Sequence, residues 1–124
     1  MDQEIIERLR DNDESLIELN LSDNNLNNID VFEVLKDNNT LTYLDLSGNK
    51  INNINVFEVL KYNNSLTYLD LRCNKITDIN VFNVLKYNNS LNYLILDNKL
   101  INDNQELFTD ILKYNFSLIK LETD

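Results

Sequence analysis

The amino-acid sequence predicts an α/β fold made of stacked repeats, and three observations lead to this prediction. Four leucines lie 25 residues apart, and each opens the pattern Leu-x-x-Leu-x-Leu; they are Leu16, Leu41, Leu66 and Leu91. Residues 41–65 and 66–90 are identical at 20 of 25 positions. Within each unit the apolar residues first alternate and then recur with helical spacing, which is typical of a strand followed by a helix.

The strand of the second unit places its leucines and its polar residues on opposite faces. Leu44 and Leu46 are two residues apart and point the same way, whereas Tyr43 and Asp45 point the other way. One face of a sheet built from such strands is therefore apolar and covered. The other face is polar and aromatic.

An asparagine follows each of the first three strands at the same offset: Asn24, Asn49 and Asn74. Stacked at one position of each repeat, their side chains can hydrogen-bond the backbone of the turn. The next segment places Val56, Val59 and Leu60 on one helical face beside Phe57, which predicts about two turns of helix packed on the core. We therefore expect an asparagine ladder between strand and helix, and an inward phenylalanine column of Phe32, Phe57 and Phe82.

Asparagine also marks both ends of the predicted helices. Asn55, like Asp30 and Asn80 at the same offset, is expected to be the N-cap. The return loop carries Asn-Asn pairs, in which asparagine suits a left-handed helix stop. Four of the five Asn-x-Ser/Thr sequences lie in this loop, so we interpret them as turn residues and not as glycosylation sites.

The pattern of Leu41, Leu44, Leu46, Asn49 and Ile51, followed by a helix, resembles a leucine-rich repeat. It is similar to the helix-bearing kind found in ribonuclease inhibitor and in tropomodulin C-terminal domains. The resemblance covers about residues 15–124 and implies a right-handed, curved solenoid with a parallel concave sheet and short convex helices. Two departures from it are expected to matter. The repeat is short for this subclass, and Lys99 occupies the ladder offset in the fourth copy, so the ladder should end before that copy.

The two ends of the chain differ from the internal units, as the terminal units of a stack should. Residues 1–14 are interpreted as a helical N-terminal cap, with Ile5, Ile6 and Leu9 on one side. The repeats are assigned to residues 16–40, 41–65, 66–90 and 91–117, followed by a terminal strand at residues 118–124. The sequence thus predicts a single domain spanning residues 1–124.

Composition excludes several classes of function. Of 124 residues, 21 are acidic and 11 basic, and the net charge of −10 argues against DNA, RNA or an anionic membrane as a partner. With no histidine and one cysteine, disulfide frameworks and the common zinc sites are excluded. The sequence shows no leader and no apolar run of the roughly 18 residues that a membrane span needs, so a cytoplasmic domain is expected.

The outward side chains of the strands are predicted to form columns across the sheet. The first column is Glu18, Tyr43, Tyr68, Tyr93 and Lys120. The second is Asn20, Asp45, Asp70, Ile95 and Glu122. The third is Ser22, Ser47, Arg72 and Asp97, and a fourth is Asp23, Gly48, Cys73 and Asn98.

These columns predict a non-enzymatic protein-binding face. Tyrosine supplies large, stiff contact area and is enriched at binding hot spots, so the three tyrosines are the expected anchors. Asp45 and Asp70 are expected to steer a basic partner, with Arg72, Ile95 and Asp97 completing the contact set. The alternative is that the tyrosines only stack on one another and shield the sheet, and that the acidic residues merely face water.

Catalysis, metal binding and cofactors are not expected from this sequence. Asp45, Asp70 and Asp97 could form an oxygen cluster, but Arg72 lies close enough to neutralise them and an open sheet offers no pocket. No pair of nucleophile and base is available. Cys73 has only Arg72 beside it to lower its pKa and is interpreted as a bystander thiol.

Two other functions remain open. The terminal strand could pair with a second copy, which would give a homodimer through Leu118, Ile119 and Leu121, because an unpaired edge strand is a template for pairing. An acidic solenoid could also inhibit a basic enzyme, as the resemblance to ribonuclease inhibitor implies. With four to five repeats, however, the arc is too short to enclose a globular partner.

Overall fold

The computed structural model describes residues 2–27 and 29–115, together with the backbone strand at residues 120–122. Five parallel strands form one sheet in chain order. They are β1 (Glu18–Asn20), β2 (Tyr43–Asp45), β3 (Tyr68–Asp70), β4 (Tyr93–Ile95) and β5 (Lys120–Glu122). The helical elements are α1 (Gln3–Arg10), α2 (Ile29–Asp37), α3 (Asn53–Tyr62), a 3-10 helix (Ile79–Lys86), α4 (Asn98–Asn102) and α5 (Gln105–Tyr114). The predicted α/β fold with a parallel sheet is confirmed. None of the described helices is long and apolar enough to cross a membrane.

The core lies between the sheet and the helices. Leu44, Leu69 and Leu94 occupy the same position of successive strands, pair in register and are fully buried. The predicted phenylalanine column is wrong at its middle member. Phe82 is buried and tilts against Phe108 with 5.7 Å between ring centroids, whereas Phe57 is only half-buried, with the Lys61 ammonium 5.2 Å above its ring.

The predicted asparagine ladder is present. The Asn49 amide donates to the carbonyl oxygens of Leu21 (2.9 Å) and Leu46 (3.0 Å), and so joins two consecutive repeats. Asn74 donates to Leu46 in the same way (2.9 Å). In the fourth repeat α4 begins at Asn98, whose side-chain oxygen accepts from Asn102, so the ladder ends at Asn74 as expected.

A second asparagine ladder, which the sequence analysis missed, connects the helix ends to the next strands. Its members are Asn38, Asn63, Asn88 and Asn115. Asn63 donates to the Leu35 carbonyl of the preceding repeat (2.8 Å) and accepts from the backbone N–H groups of Ser65 (3.0 Å) and Leu66 (2.9 Å). The predicted left-handed helix stop is wrong here, because Asn63 has an extended backbone with φ −75°. The detectable signal was the strict recurrence of Asn-x-Ser/Thr-Leu.

The predicted N-caps are also displaced. Asn52 caps α3 by accepting from the Asn55 N–H (3.1 Å), and Asn55 returns a bond to the Asn52 N–H (3.2 Å) in a capping box. Asp78 caps the 3-10 helix by accepting from the Asn80 N–H (3.0 Å). Asn55 and Asn80 therefore lie inside the first turn, because an upstream residue with an extended backbone takes the cap position. Asp30 also lies inside its helix, α2, and not before it.

The N-terminal helix packs against the first repeat and is tied to it by a charged turn. Ile6 and Leu9 of α1 are buried in the core. Asp13 accepts from the Ser15 hydroxyl (2.7 Å) and N–H (2.9 Å) and pairs with Arg8 (2.7 Å). These hydrogen bonds, the one from the Ser15 hydroxyl first, lower the pKa of Asp13 to about 2. Asp13 thus holds the turn before the first strand by accepting hydrogen bonds from it, as the asparagines of the second ladder do before the later strands.

Candidate protein-interaction face

The strand side chains that point away from the helices form one continuous surface, called here the exposed sheet face. Its centre is a tyrosine ladder of Tyr43, Tyr68 and Tyr93, which pair in register across β2, β3 and β4. The Tyr43 and Tyr68 rings stack with centroids 4.3 Å apart and planes 12° apart. Tyr68 and Tyr93 tilt by 41° at 6.4 Å. The predicted column is therefore continuous, and its outermost ring, Tyr93, is 37% exposed.

The middle ring of the tyrosine ladder is held in its neutral form. Burial, followed by the neighbouring Tyr43, raises the pKa of Tyr68 to about 12, and the charge of Asp70 acts in the same direction. Arg72 opposes the shift. At neutral pH this position therefore offers an aromatic surface with a phenolic hydrogen-bonding group and no charge.

The acidic column beside the tyrosine ladder differs from its prediction at Asp70. Asp45 accepts from the Ser47 N–H (2.9 Å) and hydroxyl (2.7 Å) and remains half-buried. Asp70 instead accepts from Arg72 Nε (3.1 Å) and Nη2 (2.6 Å) and is only 2% exposed. Asp70 is thus a buried, ion-paired carboxylate and not an exposed one, whereas Asp45 keeps an accessible side chain. Electrostatic steering by either residue stays a prediction.

Two other residues predicted to contact a partner, Ile95 and Asp97, are at least partly buried within the fold. Ile95 pairs in register between Asp70 and Glu122 and is 5% exposed, so it offers a partner little surface, and its role in binding stays a prediction. Asp97 is half-buried, and both its carboxylate oxygens accept from the Cys73 N–H (3.0 and 3.2 Å). Asp97 thereby holds the turn at Cys73, whose backbone has φ +56°. The accessible part of the predicted set is the tyrosine ladder with Asp45 and Arg72 at its side.

Three acidic residues on this face, Asp45, Asp70 and Asp97, accept hydrogen bonds from within the chain. Asp45 is bonded to Ser47, Asp70 to Arg72 and Asp97 to the backbone of Cys73. Over the part of the chain that the structure describes, no three acidic or cysteine side chains come together as a metal site would require. What this face offers a partner is aromatic contact area and hydrogen bonding.

The residues predicted for self-association cannot be placed in the same way. Leu118 and Ile119 lie outside the described residues, and Leu121 is described only as part of the β5 backbone, paired in register with Leu94. Self-association through this strand therefore stays a prediction.

A second column of tyrosines, which the sequence analysis did not single out, lies at the C-terminal ends of the helices. Its members are Tyr62, Tyr87 and Tyr114, and all three are exposed. The available signal was the sequence Lys-Tyr-Asn, which recurs at residues 61–63, 86–88 and 113–115. These tyrosines form a surface separate from the exposed sheet face, since they follow helices instead of belonging to strands.

Two leucine-rich-repeat family models match the sequence. One matches residues 37–54 and 62–79, and the other matches residues 15–35. No protein in a search of curated proteins matches the chain. Neither family model separates the subclasses of leucine-rich repeat, so similarity to the ribonuclease-inhibitor subclass stays a prediction.

Solved structures include two with the same fold over nearly the whole chain. The leiomodin-1 actin-binding site 2 superposes with a TM-score of 0.80 at 25% sequence identity, covering 98% of this chain and 78% of that one. The tropomodulin C-terminal domain of Caenorhabditis elegans superposes with a TM-score of 0.81 at 19% identity, covering 98% and 81%. The repeat pattern, the parallel sheet and these superpositions all agree on the fold.

Proposed function

Because the chain is a leucine-rich repeat protein, we propose that it is a non-enzymatic protein–protein interaction module that binds its partner through the exposed sheet face. The observation that carries the proposal is the tyrosine ladder. Tyr43, Tyr68 and Tyr93 form a continuous aromatic strip across three strands. Tyrosine gives large contact area at low cost in side-chain entropy, and such residues often dominate binding energy.

The charges around the tyrosine ladder favour a partner with a basic or mixed surface. Asp45 is half-buried, and among the described residues its carboxylate accepts hydrogen bonds from Ser47 and forms no ion pair. Arg72, whose side chain is 36% exposed, presents a cation beside the buried Asp70. A partner that places an amine or guanidinium near Asp45 and a carboxylate near Arg72 would complement both charges.

Actin is the first partner to test. The leiomodin-1 structure that superposes on 98% of this chain is an actin-binding site. The proposal takes that function as the starting point for this chain, at 25% sequence identity, and assigns the contact to the tyrosine ladder. Inhibition of a basic enzyme ranks below it, because five short strands give a narrow surface.

The test compares two triple variants with the same number of substituted tyrosines. One carries Tyr43→Ala, Tyr68→Ala and Tyr93→Ala on the sheet, and the matched control carries Tyr62→Ala, Tyr87→Ala and Tyr114→Ala at the helix ends. Binding to monomeric actin and co-sedimentation with filaments are measured for both variants and the wild type. We expect the sheet variant to lose at least about tenfold in affinity and the control to bind actin like the wild type.

Two controls separate a loss of binding from a loss of folding. Circular dichroism and thermal melting check that the sheet variant is folded, and Tyr93→Arg, at the most exposed ring, provides a variant with little effect on packing. If the wild type binds neither form of actin, actin is withdrawn as the partner. Affinity capture from a eukaryotic lysate then tests the face itself, and equal recovery of every specific protein by the wild type and the sheet variant would refute it.

A further inference from the structure

Lysines at the helix ends connect neighbouring repeats in a recurring pattern. Lys36 contacts the second repeat twice, through Glu58 (3.9 Å) and through the ring of Tyr62 (5.7 Å to the centroid). Lys86 contacts the fourth repeat in the same manner, through Asp110 (2.8 Å) and the ring of Tyr114 (5.3 Å). In each case the lysine of one repeat pairs with an acidic residue and covers a tyrosine of the next, and Lys36 also pairs with Glu33 of its own helix (3.0 Å).

The pattern is broken between the second and third repeats. The position equivalent to Glu58 and Asp110 is Asn83, which cannot pair with a lysine. Lys61 turns back over its own helix instead, 5.2 Å from the ring centroids of both Phe57 and Tyr62. Among the described residues Lys61 forms no ion pair.

The tyrosine at this break is left open to solvent. Tyr87 is 88% exposed, compared with 51% for Tyr62 and 56% for Tyr114, each of which lies under a lysine. Within residues 29–115 no lysine or arginine lies over the Tyr87 ring. A cavity of about 380 Å³ begins beside the ring and is lined by Lys86, Tyr87, Asp110 and Tyr114.

Local charge indicates which partner suits this place. Residues 1–37 carry 11 acidic and 3 basic residues, whereas residues 41–90 carry 4 acidic and 5 basic residues. The second and third repeats are therefore nearly neutral, with a net charge of +1, in an otherwise acidic protein. An anionic group can approach Lys61 here without the repulsion it would meet on the first repeat.

We propose that this gap is a second docking site, at the helix ends, for an acidic peptide segment of another protein that carries an aromatic or large aliphatic residue. A carboxylate of the segment takes the place beside Lys61 that Glu58 takes beside Lys36. The apolar residue packs on the exposed Tyr87 ring and enters the cavity next to Tyr114. The site is separate from the exposed sheet face and does not depend on the function proposed for that face.

The test uses labelled synthetic peptides of about ten residues, a length that spans a typical recognition motif. One peptide alternates glutamate with phenylalanine and leucine, a second replaces its glutamates with lysines, and a third replaces its apolar residues with alanine. Fluorescence anisotropy measures the binding of each to the full chain. We expect the acidic, apolar peptide to bind and the other two to bind at least about tenfold more weakly.

Two variants at the proposed site and two controls elsewhere locate the binding. Tyr87→Ala is expected to weaken it by at least about tenfold and, at so exposed a residue, to leave folding unchanged. Asn83→Glu restores the second repeat's residue, gives Lys61 an internal partner and is expected to weaken peptide binding about threefold. Asn89→Glu, in the exposed return loop, adds the same charge elsewhere and is expected to have no effect, as is Tyr93→Ala on the sheet.

Several results would overturn the proposal. One is the absence of binding by the acidic, apolar peptide, and another is an equal or stronger response to the basic peptide. Binding that survives both Tyr87→Ala and Asn83→Glu would place the peptide elsewhere. Self-association of the wild type that Tyr87→Ala abolishes would assign the site to a second copy of the chain, which also contradicts the proposal.

Discussion

The second repeat (residues 41–65) and the third repeat (residues 66–90) have the same buried strand leucines but differ in their surfaces and in how their helices pack. They agree at 20 of 25 positions, and the leucines of both strand segments are buried, whereas Phe57 is half-buried and the equivalent Phe82 is fully buried. The five differences replace Ser47 by Arg72, Gly48 by Cys73, Asn52 by Thr77, Asn53 by Asp78 and Glu58 by Asn83. Several of these differences change a local structure while the fold stays the same, although Gly48 and Cys73 share a left-handed backbone.

The helices of the two repeats show the effect of capping. In the second repeat Asn52 and Asn55 form a capping box, and the α-helix α3 runs over ten residues. In the third repeat the cap moves to Asp78, and an eight-residue 3-10 helix follows, although its apolar residues are the same. The sequence differences lie at the start of the helix and at Asn83, which replaces Glu58. We expect the residues at the start to select the type of helix, because the cap sets its first hydrogen bonds.

The sheet side shows the effect of one basic residue. With serine two positions after the strand, Asp45 forms a local turn and stays partly accessible. With arginine there, Asp70 is buried under an ion pair. The repeated leucines and asparagines thus fix the stack, and the few variable surface positions decide what each repeat presents to a partner.

The largest effect is expected in the shared core. Leu44→Ala and Leu69→Ala each remove a fully buried side chain at the same position of neighbouring strands. Each should lower the free energy of unfolding by about 3 kcal/mol, and the two costs should agree to within about 1 kcal/mol. Urea denaturation measures both. A clearly unequal pair of costs would show that the two repeats do not share one core.

The next largest effect on stability should distinguish Asp70 from Asp45. Asp70→Asn breaks a buried ion pair and should destabilise the protein by about 2 kcal/mol, which allows for the partial exposure of Arg72. Asp45→Asn should cost no more than about 0.5 kcal/mol. Asn20 already makes the same two hydrogen bonds to Ser22 in the first repeat, so asparagine suits this position. Equal costs in urea denaturation would contradict the difference between the repeats.

Substitutions in the turn after the strand should change the free energy of unfolding in opposite directions in the two repeats. Gly48 has φ +67°, and a Cβ there would lie 1.9 Å from Asp23 Oδ1, so Gly48→Ala should destabilise by about 1–2 kcal/mol. Cys73 has φ +56°, and Cys73→Gly relieves the left-handed strain of a residue with a Cβ. It should stabilise by up to about 1 kcal/mol. Thermal melts measure both signs, and a stabilising Gly48→Ala would refute the explanation.

The smallest effect on stability, below about 1 kcal/mol, should come from exchanging the caps. Thr77→Asn with Asp78→Asn gives the third repeat the start of the second, and we expect its 3-10 helix to become an α-helix. Backbone chemical shifts and amide hydrogen exchange over residues 77–87 measure the conversion. Unchanged shifts in the double variant would mean that something other than the cap selects the type of helix.

The period of the sequence made the fold predictable. The leucine columns, the strand register and the Asn49 ladder each follow from residues that recur at one offset, and recurrence is visible without coordinates. The second ladder was not predicted, because asparagine serves equally in left-handed turns and in side-chain bonds to the backbone. The burial of Asp70 was missed for a different reason. It depends on the conformation that Arg72 adopts, which periodicity does not describe.

Actin binding by the two triple-tyrosine variants, measured side by side with the wild type, tests the central claim most directly. The claim predicts that substituting Tyr43, Tyr68 and Tyr93 lowers the affinity at least about tenfold, while substituting Tyr62, Tyr87 and Tyr114 leaves actin binding intact. Equal binding by the folded sheet variant and the wild type would contradict it.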